Sequence, residues 1–437
     1  MLPNVLIITT HDSGRHVGCY GVPTVQTPAI DRVAAEGVRF DRMFAVSPIC
    51  SPSRGGLLTG RYPLANGLVG LTGRHWNWEF NDYGQHLSHH LRSAGYHTAM
   101  FGLQHETKYI ERLGFDDIAA HGVRDEQGCQ VSAPQVADRV AAFLRAWQGE
   151  RRPFYAQVGF FETHTDYGFG GAQPDEARGV WCPPYARCHQ PHAWSKKMTR
   201  FQGEPGFGRQ HLAGLQGALR QVDRAVQCIM ESLEQTGQAN NTVVLFNTDH
   251  GVELPGAKWT LHDPGLGIAF ILRWPAGGVL GGRRCDGLLS NVDFVPTLCE
   301  LIDVEPPANQ QGLSFAAACR GQTQGTISPR SVAFSNWVDG LTFSARTDRY
   351  RLIRNAQPVD SYGRPCRPNE LYDLALDPLE LTEVSGEPVY AEALAMMGEH
   401  LDGWLREMND PSMQHVIEGP TESDRVARYR ALYEGSR

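Results

Sequence analysis

The sequence of 437 residues lacks the features that mark several classes of protein. It has no long run of Lys or Arg and carries a formal net charge of −8, so we expect no nucleic-acid partner. No apolar stretch is long enough to cross a bilayer, and the N-terminus has neither a basic region nor a small-residue cleavage site. We therefore expect a cytoplasmic protein that makes no membrane contact.

Cysteine spacing excludes two further classes. The ten cysteines show no CxxC spacing, which argues against a disulfide framework and against a zinc knuckle. Cys182 and Cys188 flank a short Pro-Pro-Tyr loop and could pair or stay free. We expect free thiols in a reducing compartment.

The pattern of apolar residues indicates the fold class. Short apolar runs alternate with longer periodic ones, which is typical of an α/β fold: a large, mostly parallel sheet with helices on both faces. The predicted strands are 4–10, 97–102, 154–160, 242–247 and 268–273. The predicted helices are 27–37, 84–94, 133–148 and about 208–237.

The length of the chain predicts two domains, because 437 residues exceed what one hydrophobic core normally serves. We place a catalytic α/β domain at 1–320 and a smaller α+β domain at 321–437. The smaller domain is expected to hold short antiparallel strands at 331–337, 341–347 and 350–354 and a helix at 389–407. The segment 165–210, rich in Gly, Pro and aromatic residues, is expected to form a functional loop.

The most informative segment is Cys50-Ser51-Pro52-Ser53-Arg54, followed by Leu58-Thr59-Gly60-Arg61. It is predicted to open a helix, whose unpaired N–H groups favour anions. Arg54 adds a planar charged fork suited to sulfate, phosphate or carboxylate oxygens. These residues indicate an anion site with a sulfur nucleophile; the alternative is a small buried thiol.

Two further pairs of residues follow predicted strands. His11-Asp12 comes directly after the first strand, and Asp249-His250 comes after strand 242–247. Functional groups gather at the carboxyl ends of parallel strands, so the four side chains could converge on one divalent cation. The alternative is ordinary turn chemistry, since Asp before Gly often turns a chain.

The composite motif around Cys50 resembles the signature of the type I sulfatases of the alkaline phosphatase superfamily, with a layout most similar to the N-sulfoglucosamine sulfohydrolase-like branch. The resemblance implies that Cys50 is converted to Cα-formylglycine, which attacks sulfur. It also implies one divalent ion (Ca, Mn or Zn) bound by Asp12, Asp249, His250, Cys50 and His11. Imidazole ligands shift the preference away from calcium.

The resemblance also implies catalytic roles for Arg54, His105, His164 and Lys258. Gly102-Leu103-Gln104-His105 corresponds to a family Gly-Lys-x-His, so Leu103 stands where the family has Lys. His164 would protonate the leaving group, and His105 would deprotonate the formylglycine hydrate. Weaker candidates for lining the pocket, more simply interpreted as solvated loop residues, are Arg15, Arg74, His75 and Trp76.

The predicted function is hydrolysis of a sulfate ester or sulfamate on a sugar or aryl group. One alternative is a phosphonate monoester or phosphodiester hydrolase of the same superfamily; another is a non-catalytic anion-binding relative with unmodified Cys50. The expected partners are a small anionic substrate, such as a sulfated saccharide, and a formylglycine-generating maturation enzyme. A homo-oligomer is possible.

Overall fold

The computed structural model describes residues 2–72, 78–121, 131–165, 167–188, 207–322, 328–337, 342–355 and 367–408. Its largest element is an eight-stranded sheet in the order β5-β4-β6-β1-β7-β8-β2-β9. Next to it lies a two-stranded sheet of β3 and β10. The strands of these two sheets are β1 Asn4–Thr10, β2 Val38–Phe40, β3 Met43–Phe44, β4 His97–Gly102, β5 Asp117–His121, β6 Phe154–Phe160, β7 Thr242–Thr248, β8 Phe270–Arg273, β9 Arg283–Cys285 and β10 Leu289–Ser290.

All strand pairs of the large sheet are parallel except the two that β8 makes with β7 and β2. The central strands read as continuous apolar runs because both faces of the sheet are covered. Along β1, Leu6 and Ile8 enter the core on one face, and Val5 and Ile7 enter the core on the other. Parallel strands buried on both faces have this sequence character.

Helices cover both faces of the sheet. The longest helix, Phe207–Gln235, packs against Ala133–Ala146 and Pro28–Glu36 on one face. The other helices are Cys50–Thr59, Pro63–Asn66, Leu87–Ser93, Pro184–Cys188, Asp263–Leu266, Phe294–Ile302, Ala316–Cys319 and Ala391–Glu407. Among the described helices, none is both long enough and apolar enough to cross a bilayer.

A third sheet, which is antiparallel, follows in the C-terminal part. Its order is β11-β12-β13-β14, and the helix Ala391–Glu407 packs against β12 and β13. Trp404 from this helix stacks on Phe334. The strands are β11 Ala333–Trp337, β12 Thr342–Arg346, β13 Tyr350–Asn355 and β14 Asn369–Asp373. The α/β fold class with a smaller antiparallel sheet is thereby confirmed, whereas the boundary at 320/321 stays a prediction.

The predicted strands are present in the structure, including those predicted at 331–337, 341–347 and 350–354, while several short strands were not predicted. Strands 4–10, 97–102 and 154–160 have the predicted bounds, while the strand predicted at 268–273 begins at Phe270. The short strands β2, β5 and β9 were not predicted, because three to five residues show too little periodicity. The predicted loop 165–210 is not wholly irregular: its described part contains the short helix Pro184–Cys188 and the start of the helix Phe207–Gln235. The cysteines whose side chains are described are free thiols: Cys19, Cys50, Cys182, Cys228, Cys285, Cys299 and Cys319.

Candidate active site

Cys50 is the first residue of a buried helix, Cys50–Thr59. The preceding residue, Ile49, is extended, and Gly60 ends the helix with φ of 64°, a left-handed conformation that glycine adopts readily. Arg54 follows Cys50 by four residues, so both side chains lie on the same face of the helix. The structure thus places the sulfur and the guanidinium side by side, and both are buried.

The two predicted pairs meet at one edge of the sheet. Strands β1 and β7 are parallel neighbours with Thr10 opposite Thr248, so the residues that follow them emerge together. The backbone N–H of Asp12 donates to Asp249 Oδ1 at 3.0 Å. Asp12 has a φ of 45°, a left-handed conformation that Asp tolerates better than most residues. This turn directs both carboxylates toward Cys50.

The cluster has the composition of a metal site. One ligand atom from each of His11, Asp12, Cys50 and Asp249 lies within 4.8 Å of the others, and all four residues are buried. His11 Nε2 is buried without a hydrogen-bond partner among the described residues. The ring nitrogen that faces the two carboxylates is His11 Nδ1, which lies 3.0 Å from Asp249 Oδ2 and 4.0 Å from Asp12 Oδ1. This donor set fits a bound divalent cation.

His250 extends this cluster. Its Nε2 lies 3.1 Å from Asp12 Oδ1 and 3.3 Å from Cys50 Sγ. Its Nδ1 lies 3.0 Å from the carbonyl oxygen of Gly251. A ring nitrogen engaged by a backbone carbonyl leaves the opposite nitrogen available as a ligand. Carboxylate oxygens and imidazole nitrogens together suit Mn²⁺ or Zn²⁺ better than Ca²⁺.

Lys258 is the main cation at Asp12. Its Nζ donates to Asp12 Oδ2 at 2.6 Å, and both groups are buried. Burial alone would disfavour the charged carboxylate, but the Lys258 ammonium holds the pKa of Asp12 well below its usual value. The same pair raises the pKa of Lys258 although burial opposes this. Lys258 therefore stays charged beside the cluster.

The segment that carries Lys258 is fixed against the C-terminal sheet. The next residue, Trp259, has a φ of 72°, which is unusual for a bulky side chain and implies support from its surroundings. Its ring lies 5.2 Å from that of Trp337, at the end of β11. Four residues further on, Asp263 accepts hydrogen bonds from Arg346 and Arg351. The position of Lys258 therefore depends on both parts of the chain.

His105 and His164 lie on either side of His11. The ring of His11 is 5.6 Å from His105 and 5.7 Å from His164, and His164 stacks on Phe161. Burial, and then the positive charge of Arg54, lowers the pKa of His11 to about 4. Burial and neighbouring His11 lower the pKa of His105 as well. His105 and His11 are therefore neutral at pH 7, the form in which an imidazole can bind a metal.

Arg54 lies between two buried carboxylates. Its Nε donates to Asp249 Oδ2 at 3.2 Å, and its Nη1 lies 3.6 Å from Glu106 Oε1. The sequence analysis did not identify Glu106, although it directly follows His105. Its position, one residue after His105 in the segment that follows a predicted strand, could have identified it as a candidate. Burial raises the pKa of Glu106, and Arg54 opposes that rise.

The remaining candidates lie elsewhere. The half-buried side chain of Arg15 does not line the cluster: Nη2 donates to the carbonyl oxygen of Met43, and the guanidinium packs on the ring of Phe44. The interpretation of Arg15 as a solvated loop residue was wrong. Leu103 is buried and brings no charge to the site. Arg74, His75 and Trp76 lie outside the described residues.

Burial keeps the thiol of Cys50 neutral. Desolvation, and then the charge of Asp249, raises the pKa of Cys50 well above its usual value. Its Sγ lies 3.8 Å from Asp12 Oδ1. The described residues thus bring together Cys50, Arg54, Lys258, both aspartates and the histidines in one buried site.

Comparisons with known proteins identify similar chains. An ulvan-active sulfatase from Formosa agariphila is 25% identical over 93% of this chain and 75% of its own. A structure solved with its substrate D-glucosamine-2-N,6-O-disulfate has a TM-score of 0.73 at 19% identity, covering 94% of this chain and 99% of its own. A phosphonate monoester hydrolase from Agrobacterium radiobacter has a TM-score of 0.68 at 20% identity, covering 94% and 97%.

Two family models match the chain. The region that corresponds to the C-terminal part of N-sulphoglucosamine sulphohydrolases spans residues 257–407 and therefore includes Lys258 as well as the antiparallel sheet. The sulfatase model matches residues 3–304, which contain the nucleophile motif, both strand-end pairs and all the candidate histidines. This chain belongs to the sulfatase family and is a sulfuric ester hydrolase.

Proposed function

We propose that this protein hydrolyses a sulfate ester or sulfamate on a saccharide or aryl group, using a formylglycine made from Cys50. One observation carries the proposal: Cys50 begins a buried helix, one turn before Arg54, and faces a compact cluster of aspartates and histidines. Such a site has a nucleophile position, fixed cations and metal-ligating groups within one small volume. Hydrolysis of an anionic ester needs these three parts.

The side chains around Cys50 have different proposed roles in catalysis. Arg54 and Lys258 bind the sulfuryl oxygens and offset the charge that develops on them. His164, at the end of β6, protonates the departing oxygen or nitrogen, and neutral His105 accepts a proton from the group at position 50. An aldehyde hydrate at that position and a divalent cation, when present, supply an oxygen nucleophile with a lowered pKa.

The proposed metal ligands are Asp12, Asp249, His250 and His11, together with the modified residue 50. Two imidazoles in this set favour Mn²⁺ or Zn²⁺ over Ca²⁺. His11 is supported as a ligand through Nδ1, which lies 3.0 Å from Asp249 Oδ2 and 4.0 Å from Asp12 Oδ1. We expect apoenzyme to regain more activity with Mn²⁺ or Zn²⁺ than with Ca²⁺.

A sulfated saccharide is the proposed substrate class. The C-terminal family region takes its description from enzymes that act on N-sulphoglucosamine, and the structural neighbour described above was solved with a disulfated glucosamine. Both N-sulfate and O-sulfate linkages belong in the test. The site chemistry is the same for either, because His164 would protonate the departing nitrogen or oxygen.

The phosphonate monoester or phosphodiester activity is the second candidate. The Asp249-His250 pair, with imidazole in place of an amide, favours it, and a phosphonate monoester hydrolase shares the fold. Its substrates carry the same single negative charge at a tetrahedral centre as a sulfate ester. Charge alone does not separate the two activities, so they must be compared directly.

The test is a substrate comparison with enzyme of known modification state. The chain is coexpressed with a formylglycine-generating enzyme, and mass spectrometry of the Cys50 peptide gives the converted fraction. p-Nitrophenyl sulfate, N-sulfated and O-sulfated glucosamine and a phenyl phosphonate ester are then compared at matched metal loading. We expect a sulfated substrate to give the highest kcat/KM and Cys50→Ala to abolish turnover.

Two outcomes would contradict the proposal in different ways. Faster turnover of the phosphonate ester would assign the second candidate function. Conversion-competent coexpression that leaves Cys50 unmodified, with no turnover, would favour a non-catalytic anion-binding protein. The Cys50→Ala variant, melted in parallel with wild type, controls for loss of folding.

A further inference from the structure

Glu106 is a fully buried acid beneath the proposed active site. Its Oε1 lies 3.6 Å from Arg54 Nη1, and its Oε2 accepts a hydrogen bond from Gln157 Nε2 at 3.1 Å. Gln157 is itself held by Tyr155, whose hydroxyl donates to Gln157 Oε1 at 3.0 Å. A chain of three buried side chains therefore runs from the sheet to the guanidinium.

The turn that carries Glu106 is also fixed. Gln104 Oε1 accepts hydrogen bonds from the backbone N–H groups of Glu106 and Thr107 at 2.8 and 3.0 Å. A side chain that bonds its own backbone in this way stabilises a tight turn. Glu106 is thus held from its backbone by Gln104 and from its carboxylate by Gln157.

The two carboxylates near Arg54, those of Asp249 and Glu106, differ in their other contacts. Asp249 also contacts His11 and Asp12 and is a proposed metal ligand, so its oxygens are shared. Among the ion pairs of the described residues, Glu106 has no cation other than Arg54. An ionised buried carboxylate is costly without such a partner. Glu106 is therefore the counter-charge dedicated to this guanidinium.

These contacts leave one nitrogen of the Arg54 guanidinium without a carboxylate partner. Nε faces Asp249, Nη1 faces Glu106, and Nη2 is buried with no hydrogen-bond partner among the described residues. Arg54 is hydrogen-bonded at Nε and ion-paired at Nη1 without a hydrogen bond, and these two contacts favour one orientation of the planar guanidinium. The third nitrogen then presents its donors in one direction.

We propose that Glu106 is a positioning residue: with Asp249 it holds the guanidinium of Arg54 so that Nη2 is the donor presented to the sulfuryl group. This inference rests on the proposed function, in which Arg54 contacts the substrate anion. Leu103 makes the role more important, because the ammonium that the family resemblance leads one to expect is absent from the site. Fewer cations remain, so the orientation of Arg54 carries more of the anion binding.

The test is a double-mutant cycle between Glu106→Gln and Arg54→Lys. Glutamine keeps the shape of Glu106 but turns an amide toward Nη1, and lysine removes the planar fork that needs orienting. In the Arg54 background we expect Glu106→Gln to lower kcat/KM about 10- to 100-fold. In the Arg54→Lys background the same change is expected to alter kcat/KM less than about threefold, because coupled residues are not additive.

Glu162→Gln is the matched control. Glu162 is also fully buried, but no cation pairs with it among the described ion pairs, so any effect of this substitution should be the same in both backgrounds. Thermal melting and the converted fraction of Cys50 are measured for every variant, and rates are normalised to converted enzyme. Equal effects of Glu106→Gln in both backgrounds, or no effect in wild type, would overturn the positioning role.

A binding measurement separates this inference from the proposed function. If converted wild type turns over none of the substrates, the proposed function fails, and the same cycle is then read from the dissociation constant of inorganic sulfate. Coupling between residues 54 and 106 in that constant would still support the positioning of Arg54. Additive changes in that constant would reject it independently of catalysis.

Discussion

Two clusters of buried charged groups in this molecule differ in how completely their polar atoms are paired. One joins the α/β part to the C-terminal sheet, where Asp263 and Glu380 meet Arg346 and Arg351. Asp263 lies 2.9 Å from the Arg346 guanidinium, and Glu380 lies 2.5 Å from that of Arg351. Glu380 also accepts a hydrogen bond from the backbone N–H of Asp263 at 2.6 Å. In this cluster each charged group faces an opposite charge.

The cluster around Cys50 is not closed in the same way. His11 Nε2, His105 Nδ1 and Arg54 Nη2 are buried and lack hydrogen-bond partners among the described residues. A protein normally pairs such atoms, because each unpaired one costs about 1 to 3 kcal/mol. The comparison teaches that buried charge by itself indicates stability as readily as function. Arg351 Nε and Glu380 Oε1 in the first cluster also make no hydrogen bond, but they face each other as an ion pair at 2.5 Å. None of the three atoms near Cys50 has such a partner among the described ion pairs, which marks them as candidate contacts for a cation or an anion.

The largest expected effect comes from removing one carboxylate charge from the proposed metal site. Asp12→Asn keeps the shape of the side chain, and Asn tolerates the φ of 45° at this position. Loss of the carboxylate charge is expected to reduce bound metal and to lower kcat/KM at least about 10³-fold, equivalent to about 4 kcal/mol. Metal content by elemental analysis and turnover of p-nitrophenyl sulfate measure the two effects.

Asp223→Asn is the matched control for that experiment. Asp223 is a buried residue of the helix Phe207–Gln235. Its carboxylate accepts hydrogen bonds from the backbone N–H groups of Ala29 and Ile30, at the start of the helix Pro28–Glu36. Its substitution removes a buried carboxylate that lies outside the cluster, so metal content and kcat/KM should stay near wild type. Full activity and metal content in Asp12→Asn would refute the assignment of this residue as a ligand.

A substitution in the cluster of Asp263, Glu380, Arg346 and Arg351 should lower stability and leave activity nearly unchanged. Asp263→Asn leaves Arg346 and Arg351 facing a neutral amide, and removal of one member of a buried ion pair destabilises by about 3 kcal/mol or more. We expect a clear fall in melting temperature with less than a tenfold change in kcat/KM for the folded enzyme. An unchanged melting temperature, measured by calorimetry, would show that this network does not stabilise the fold.

The smallest predicted effect concerns Glu162, which belongs to neither cluster. Its Oε1 accepts from the N–H of Ala133, at the start of a helix, and burial raises its pKa to about 7. The folded state therefore binds this proton more tightly than the unfolded chain. The resulting stability is fully present below pH 4.5 and is lost as the pH rises through 7, an effect of about 2 to 3 kcal/mol.

Glu162→Gln isolates this titration, because the amide stays neutral at every pH. Relative to wild type, the variant should gain stability between pH 5 and pH 8. Denaturant unfolding of both proteins at the two pH values measures the difference, in which the contributions of all other titrating groups cancel. A constant difference across this range would show that Glu162 has an ordinary pKa in the folded protein.

Local sequence pattern predicted those parts of the molecule that depend on local rules. The runs 4–10, 97–102 and 154–160 are continuous and apolar, and they form strands with those bounds. Cys50 and Arg54 share a helix face because four residues separate them. His11-Asp12 and Asp249-His250 meet because their strands are parallel neighbours.

Contacts made across the fold could not be predicted in the same way. Glu106 reaches Arg54 only because β4 and β6 are neighbours that bring Gln157 beneath it, and no periodicity encodes that distance. The pairing of Lys258 with Asp12 spans 246 residues. The interpretation of Arg15 failed for a related reason, since Phe44 and Met43 arrive from a separate strand to bury it.

The attachment of the Lys258 segment to the C-terminal sheet has a consequence for modularity. Lys258 reaches the site from a stretch that Trp337, Arg346 and Arg351 hold from the other side. An exchange of C-terminal regions between related enzymes would therefore separate this lysine from its supports unless the stretch and those three residues moved together. In this protein Lys258, the proposed catalytic lysine, and the C-terminal sheet would have to be transferred together.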